Sequence, residues 1–349
     1  MIRRIYLIGF FLLFSFSFAQ KKENIAPVKL PKKLISYYQE ILKAENAYVN
    51  GDNRESIKSY NKAFEINSKP FGEDVLNSFL ISLKGNDYKM AFKSYKKLKN
   101  LRYDFSTINI ENKNYISFIK KYDTKIKKYK PILASYDSMY KNKLDTLHHN
   151  DQLYRTDYIA NKSKIDSTDI NNAIILKNYI IKYGFPSEYE IGMQRDNSFL
   201  AFYYIIWHQL GRDIEIRKWY MQSLSKAVEE GKIKNTNAIS LQDILSGTMA
   251  YKIDIVSFDI ENSGNECCYI KKLTPTIKAE IVNMDKIRLS YGLLSYQEQI
   301  DKNITFFKKI KKLKPEETSD DVILFHQITF DVSEDMFKNF LKVYTKIPL

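Results

Sequence analysis

Glycine and cysteine are scarce in this chain of 349 residues, which contains 11 glycines and 2 cysteines. Phosphate-binding loops need several glycines, and we find no such loop, no G-x-S-x-G elbow and no H-E-x-x-H helix. The cysteines, Cys267 and Cys268, are adjacent. A bond between them would be strained, because neighbouring Cα atoms lie only about 3.8 Å apart. We therefore expect two buried thiols, no cofactor, and a fold that packing alone stabilises.

No apolar run after residue 19 is long enough to cross a bilayer, which takes about 20 residues. The N-terminus itself has a basic start at residues 3–4, an apolar run over 5–18, and small residues at Ser17 and Ala19. These are the three parts of a secretory signal. An uncleaved membrane anchor is the alternative, but the apolar run is short for one. We expect cleavage before Gln20 and export to the periplasm or the cell surface.

Positive charge exceeds negative charge, with 55 lysines and arginines against 41 acidic residues and a net charge of +14. An excess of this size fits either a polyanion-binding site or a solvated basic surface. Lysines occur along the whole chain, with local runs at 125–130 and 308–314. Export also removes nucleic acid as a partner. We favour the solvated surface and expect the partner to be another protein or a peptide.

A pattern of small and aromatic residues occurs twice in the first third of the chain. Each copy has a turn, then a small residue, then a tyrosine one helical turn later, and corresponding positions are thirty-five residues apart. The packing positions are Ser56, Tyr60 and Ala63 in the first copy and Ala91, Tyr95 and Leu98 in the second, after turns at Gly51 and Gly85. The pattern resembles tetratricopeptide repeats, in which pairs of helices stack side by side.

A stack of such repeats normally needs about three units. We expect the helical stretches 115–129 and 132–147 to continue it. The concave face of a stack is a binding surface, which predicts a protein–protein interaction or scaffold module. The alternative is that these helices cap the domain that follows, and the sequence leaves both interpretations open.

Residues 145–305 carry several motifs in a definite order. They are Asp-Gln-x-x-Arg from Asp151, Tyr-Gly-Phe-Pro from Tyr183, His208, Ala-Val-Glu-Glu-Gly from Ala227, and Arg-x-x-x-Gly-Leu from Arg288. This order resembles a bacterial domain family of unknown function, which implies a mostly helical domain and no particular chemistry. The segment 250–258 departs from the Gln-x-Tyr-Gly-Thr-Gln-like sequence of that family. A site that relatives form there is therefore in doubt in this chain.

Four polar residues of these motifs are candidates for catalysis. Asp151 and Arg155 are four residues apart, where two side chains on one helix can form an ion pair, and Gln152 can join them. His208 is a candidate general acid or base, because imidazole titrates near neutral pH. Together they predict a hydrolase-like enzyme, as the alternative to the binding module. The other interpretation is a structural Asp–Arg pair, with His208 held by a neighbouring backbone or carboxylate group.

Two adjacent histidines, His148 and His149, precede Asp151 and raise the question of a metal site. Adjacent side chains on a helix point about 100° apart, so both cannot easily reach one ion. No second cluster of ligands follows. We therefore expect no metal site, and we expect His326 to be an ordinary strand residue.

These patterns predict a mainly helical fold class, with a minor hairpin or sheet near the C-terminus. Helices are expected over 151–155, 171–183, 199–210, 214–230, 237–246, 276–290, 295–312 and 334–346, and strands over 251–258, 267–273 and 322–330. The expected divisions are a signal peptide (1–19), a linker (20–33), tetratricopeptide-like repeats (34–149), a helical domain (150–312) and a strand–helix extension (313–349).

Overall fold

A computed structural model describes residues 24–108, 113–157, 159–193, 200–247, 255–260, 263–271, 275–311, 327–342 and 344–347. These residues are mainly helical, with a small sheet near the C-terminus, which confirms the predicted fold class. The predicted signal peptide lies outside them. Within the described ranges, no helix is both long and apolar enough to cross a bilayer.

The helices are α1 (Lys32–Val49), α2 (Asn53–Ile66), α3 (Gly72–Lys84), α4 (Tyr88–Asn100), α5 (Lys113–Lys128), α6 (Ser138–Gln152), α7 (Lys162–Tyr183), α8 (Glu188–Ile191), α9 (Tyr203–Trp207), α10 (Ile214–Glu229), α11 (Asn235–Ser246), α12 (Pro275–Ser290), α13 (Tyr296–Lys311) and α14 (Glu334–Phe340). The strands are β1 (Ile255–Ile260), β2 (Gly264–Lys271), β3 (Gln327–Val332) and β4 (Tyr344–Lys346).

Each of the first two helix pairs turns at a residue in the left-handed conformation. This residue is Gly51 in α1–α2, with φ +90°, and Asn86 in α3–α4, with φ +56°. The two positions are 35 residues apart, which is the period of the sequence repeat. Gly85 ends α3 as predicted, but its φ is −83°. The tight turn rests on Asn86 instead, and asparagine tolerates this conformation better than most side chains.

An aspartate begins the second helix of each pair. Asp52 accepts a hydrogen bond from the N–H of Glu55 at 2.9 Å, and Asp87 accepts one from the N–H of Met90 at 3.0 Å. Each carboxylate satisfies one of the N–H groups that a helix leaves free at its N-terminus. The repeated turn sequence therefore sets where α2 and α4 begin.

The predicted packing positions are buried in both copies. The six side chains, Ser56, Tyr60, Ala63, Ala91, Tyr95 and Leu98, are each at most 6% exposed. Tyr60 and Tyr95 lie at corresponding places on α2 and α4, and each contacts an aromatic residue of its own helix, Phe64 or Phe92. The two pairs thus share their turn, their helix cap and their buried positions, although the aromatic partners of the two tyrosines do not correspond. The resemblance to tetratricopeptide repeats stays a prediction.

The helices that follow do not continue the stack as expected. α5 lies beside α4 and runs in the same direction: Phe92 stacks on Tyr122 at 4.9 Å, and further along Tyr129 donates to Asn100 at 2.7 Å. The twelve residues between Asn100 and α5 are enough to lead the chain back along α4. A short turn would have forced an antiparallel arrangement. α6 packs mainly against α7.

Later parts of the chain cover the first helix of each pair. On α1, Glu45 forms an ion pair with Lys302 of α13. Tyr38 of α1 lies close to Gly292, and a Cβ added to Gly292 would be 3.0 Å from the tyrosine ring. On α3, every residue from 72 to 83 is buried. One hydrophobic cluster runs through both helix pairs and the helices after them. The side on which a repeat stack would have its concave face is therefore occupied by the same chain.

Some central helices follow the sequence closely, whereas others differ: α7 begins at Lys162, nine residues before the predicted start. Gly184, Gly231 and Gly247 each follow a helix at positive φ, as glycine allows. The predicted helix 199–210 is shorter at both ends and forms α9. At the C-terminal end, the side chain of Gln209 donates to the carbonyl of Ile205, and the N–H of Gln209 bonds to Ile206, so the helical pattern stops. α6 runs across the expected division between residues 149 and 150.

The four strands form one sheet in the order β3-β1-β2-β4. β1 and β2 form an antiparallel hairpin, β3 is parallel to β1, and β4 is antiparallel to β2. The strands of the expected extension thus join those of the expected helical domain. The predicted helix 334–346 is too long: α14 ends at Phe340, and residues 344–346 form β4. Cys267 and Cys268 lie in β2, but their thiols, like His326, are outside what is described.

Candidate functional site

The four candidate catalytic residues come together although they lie on different elements. Asp151 and Gln152 end α6, Arg155 lies in the 3₁₀ turn that follows, and His208 caps the end of α9. The prediction that Asp151 opens a helix is wrong, because Asp151 lies in the last turn of α6. The spacing of four residues still brings Arg155 onto Asp151, since the chain continues in a tight turn.

Asp151 is the centre of this cluster, and its side chain is 0% exposed. Its Oδ1 lies 3.0 Å from Nδ1 of His208 and 3.1 Å from Nη2 of Arg155. Its Oδ2 accepts a hydrogen bond from Nε2 of Gln152 at 2.6 Å. All four candidates therefore meet at one buried carboxylate.

A second carboxylate, Asp169 on α7, extends the cluster. Arg155 also pairs with Asp169. Arg212, four residues after His208, donates to Asp169 at 2.9 Å and forms an ion pair with Asp166 at 2.7 Å. Neither Asp169 nor Arg212 is among the residues that the sequence motifs indicate. The only available signal was their residue type, because 43 residues separate them and no local pattern connects them.

His208 is partly exposed, with 19% of its side chain accessible, whereas Asp151 beneath it is fully buried. Because the carboxylate of Asp151 accepts at Nδ1, the neutral ring carries its proton there and has a lone pair at Nε2. Among the residues described, the ring has no other hydrogen-bond partner. Gln209 fixes the segment by donating to the carbonyl of Asp169 at 3.1 Å.

The two central carboxyl groups differ in their electrostatics. Burial by itself would raise the pKa of Asp151, but the hydrogen bond to His208 and the positive charge of Arg155 outweigh it and hold this pKa below its usual range. Burial raises the pKa of Asp169, and the charge of Arg155 offsets only part of that effect. Environments that push neighbouring pKa values in opposite directions are typical of acid–base sites.

The same cluster has the ligand types of a metal site, since one atom each of Asp151, Asp169 and His208 lie within 4.8 Å of one another. Arg155, however, already pairs with both carboxylates. A metal ion would have to displace this guanidinium and bind beside its charge, so the arrangement fits arginine better than a cation. His149 is exposed, and His148 packs near the ring of Tyr204 at 5.7 Å.

A separate buried charge cluster connects the two helix pairs to the rest of the chain. Lys234, at the start of α11, is 2.5 Å from Glu73 and 2.6 Å from Asp74 on α3, and Tyr37 donates to Asp74 at 2.5 Å. The Lys234 side chain is 6% exposed. No pattern in the sequence indicates this pairing, because the partners are 160 and 161 residues apart.

Glu188 lies beside this cluster, at the start of α8. Its Oε2 accepts a hydrogen bond from the N–H of Gly72 at 2.7 Å, while Oε1 is buried with no hydrogen-bond partner among the described residues. Burial raises the pKa of Glu188 to about 7, and the nearby charge of Glu73 acts in the same direction. Glu188 and Lys234 are both buried. They affect the stability of the fold, and neither side chain is accessible to a substrate.

No family model, no curated protein and no solved structure matches this chain. The resemblance of its central part to a family of unknown function therefore stays a prediction. The geometry described above is the only evidence for what the cluster does.

Proposed function

We propose that the Asp151–His208 pair is an acid–base site and that the protein is a hydrolase-like enzyme. The observation that carries the proposal is the 3.0 Å contact between Nδ1 of His208 and Oδ1 of the fully buried Asp151, combined with a partly exposed imidazole ring. A histidine that is oriented by a buried carboxylate and open at its other nitrogen is a common general base.

In the proposed reaction, Nε2 of His208 takes a proton from a water molecule or from a hydroxyl of the substrate. The proton on Nδ1 stays on the ring, and Asp151 stabilises the imidazolium that forms. Arg155 holds Asp151 ionised and in place through Nη2 at 3.1 Å. Gln152, which is exposed, donates to the same carboxylate and borders the site.

The test is a turnover assay of the mature protein on chromogenic esters, phosphate esters, glycosides and peptides. Replacing a general base typically lowers the rate by about 10² to 10⁴, so we expect His208→Gln to lose at least about a hundredfold. His149→Gln is the matched control, because His149 is exposed and makes no contact with the cluster among the described residues. We expect this variant to keep its full rate.

Two results would contradict the proposal. One is equal turnover by His208→Gln and His149→Gln. The other is the absence of turnover by the wild-type protein on every substrate of the panel once amides, thioesters and acid anhydrides are added to it.

A second candidate function is binding of another protein or a peptide, and the exposed outer side of the helix pairs favours it. Arg54 and Lys58 on α2 face solvent, whereas α3 is buried over residues 72–83. A partner would therefore bind the second helices rather than the concave side. A variant with Arg54→Glu and Lys58→Glu should lose a partner that the wild-type protein crosslinks through the exposed Lys62 of the same helix, and retention of that partner would contradict this function.

We also propose that the chain is exported through its N-terminal signal. The support is the order of a basic start, an apolar run and small residues before Gln20. Mass spectrometry of the protein from its own cells should find Gln20 as the first residue. A cytoplasmic protein that retains residues 1–19 would contradict export.

A further inference from the structure

Most of the chain's excess positive charge lies on two neighbouring helices. α4 and α5 together contain eleven lysines and one aspartate, a net charge of +10, whereas the whole chain has +14. Lysines occur along the whole chain, but acidic residues balance most of them outside these two helices. We call the lysines of residues 89–99 and 113–128 the lysine face.

This charge is almost unneutralised. Among the described residues, the ion pair of Lys127 with Asp123, at 2.9 Å, is the only one that the lysine face makes. Burial and the neighbouring charge of Lys96 lower the pKa of Lys97, as expected where ammonium groups crowd together. A surface of this kind attracts anions over about 10 Å at moderate salt.

The arrangement of the two helices makes the lysine face broad. α4 and α5 run side by side in the same direction, and their 13 and 16 residues extend over about 20 Å and about 24 Å. Aromatic side chains fill the seam between them, with Phe92 stacked on Tyr122. Ile116, 50% exposed, adds an apolar group to the outer side of α5.

The chemistry of the face distinguishes between anionic partners. Lysine ammonium groups lie over the rings along the seam, at 5.4 Å for Lys96 on Phe92 and 5.2 Å for Lys125 on Tyr122. The rings are therefore covered by charge and do not offer stacking platforms for nucleic-acid bases. Neither helix contains arginine, the residue that binds single phosphate groups in a bidentate manner. Many point charges on a broad outer surface fit an extended anionic plane.

We propose that the lysine face binds the surface of an anionic lipid bilayer. The ammonium groups lie at the level of the headgroups, and Ile116 inserts among them. This inference does not depend on the proposed enzyme activity, because the lysine face shares no residue with the Asp151–His208 site.

The experiment measures cosedimentation of the mature protein with vesicles of phosphatidylglycerol and phosphatidylcholine. The variant Lys89→Glu, Lys120→Glu, Lys128→Glu reverses three exposed lysines of the face. Each lysine near an anionic membrane contributes roughly 1 kcal/mol, so this variant should bind at least about a hundredfold more weakly. Raising the salt concentration should weaken wild-type binding steeply.

The matched control reverses three exposed lysines elsewhere, Lys32→Glu, Lys33→Glu and Lys286→Glu, and has the same net charge. We expect it to bind almost as tightly as the wild type, and both variants should melt as cooperatively as the wild type in circular dichroism. Equal loss of binding in the two variants would overturn the proposal, because it would show a general charge effect. So would wild-type binding to soluble polyphosphate without binding to vesicles, which would identify a polyanion as the partner.

Discussion

Replacing Glu188 by glutamine should change how stability depends on pH. Glu188 is 6% exposed, and burial raises its pKa from 4.5 to about 7. Between these values the folded protein holds a proton that the unfolded chain has released. The folded state therefore loses stability as the pH rises from about 4.5 to about 7, and the loss stays constant above that range.

The size of this effect follows from the change in pKa. Each unit corresponds to about 1.4 kcal/mol, so the ionisation of Glu188 costs the folded protein about 3 kcal/mol at pH 8. Glutamine has nearly the same shape as a protonated glutamate, and its carbonyl oxygen can accept the hydrogen bond from Gly72 that Oε2 accepts now. The variant keeps this contact and does not ionise.

The measurement is urea unfolding of both proteins by circular dichroism, at several pH values and fixed ionic strength. We expect the variant to gain about 3 kcal/mol relative to the wild type between pH 4.5 and pH 8. Glu215→Gln is the control for losing one carboxyl group, because Glu215 is 77% exposed. Identical pH profiles for the wild type and Glu188→Gln would refute the reasoning, since they would mean that Glu188 does not ionise against a penalty in this fold.

Two further substitutions test how the helix pairs are fixed to the rest of the chain. Lys234→Met should destabilise the protein by about 3–5 kcal/mol in urea unfolding, because it leaves two carboxylates buried without their cation. The control Lys218→Met breaks only an exposed ion pair and should cost at most about 1 kcal/mol. Similar losses in the two variants would contradict the buried pairing. Gly292→Ala should lower the thermal midpoint more than Gly51→Ala. Both glycines have positive φ, but only at Gly292 would the added Cβ lie 3.0 Å from the ring of Tyr38; equal midpoints would show that this contact is not close.

Much of the helical fold could be predicted from local sequence. Asp52 and Asp87 cap their helices by bonding to N–H groups three residues ahead, and Gly184, Gly231 and Gly247 end helices at positive φ. Such interactions involve residues only a few positions apart, so a pattern of residue types is enough to indicate them. The prediction was wrong at α9, where the side-chain amide of Gln209 donates both to the carbonyl of Ile205, four residues earlier, and to the carbonyl of Asp169, 40 residues earlier. No local pattern indicates the contact with Asp169.

Four residues of the candidate site could be predicted from the sequence, and two could not. The motif Asp-Gln-x-x-Arg and His208 directed attention to Asp151, Gln152 and Arg155, and these residues do meet at one carboxylate. Asp169 and Arg212 could not be found in this way. They join the cluster only because α7 and the segment after α9 pack together, which no spacing along the chain reveals.

By itself the sequence indicated the helical class, the bounds of several helices such as 214–229 and 275–290, the thirty-five-residue period of the first two pairs and four residues with acid–base chemistry. Only the tertiary structure decided that the first helix of each pair is covered by the same chain, that α5 runs parallel to α4, and that the excess charge lies on these two helices. The physical reason is the separation along the chain over which each kind of interaction acts. Capping and helix periodicity act within a few residues, whereas burial joins groups such as Lys234 and Glu73, which are 161 residues apart, and depends on the packing of the whole chain.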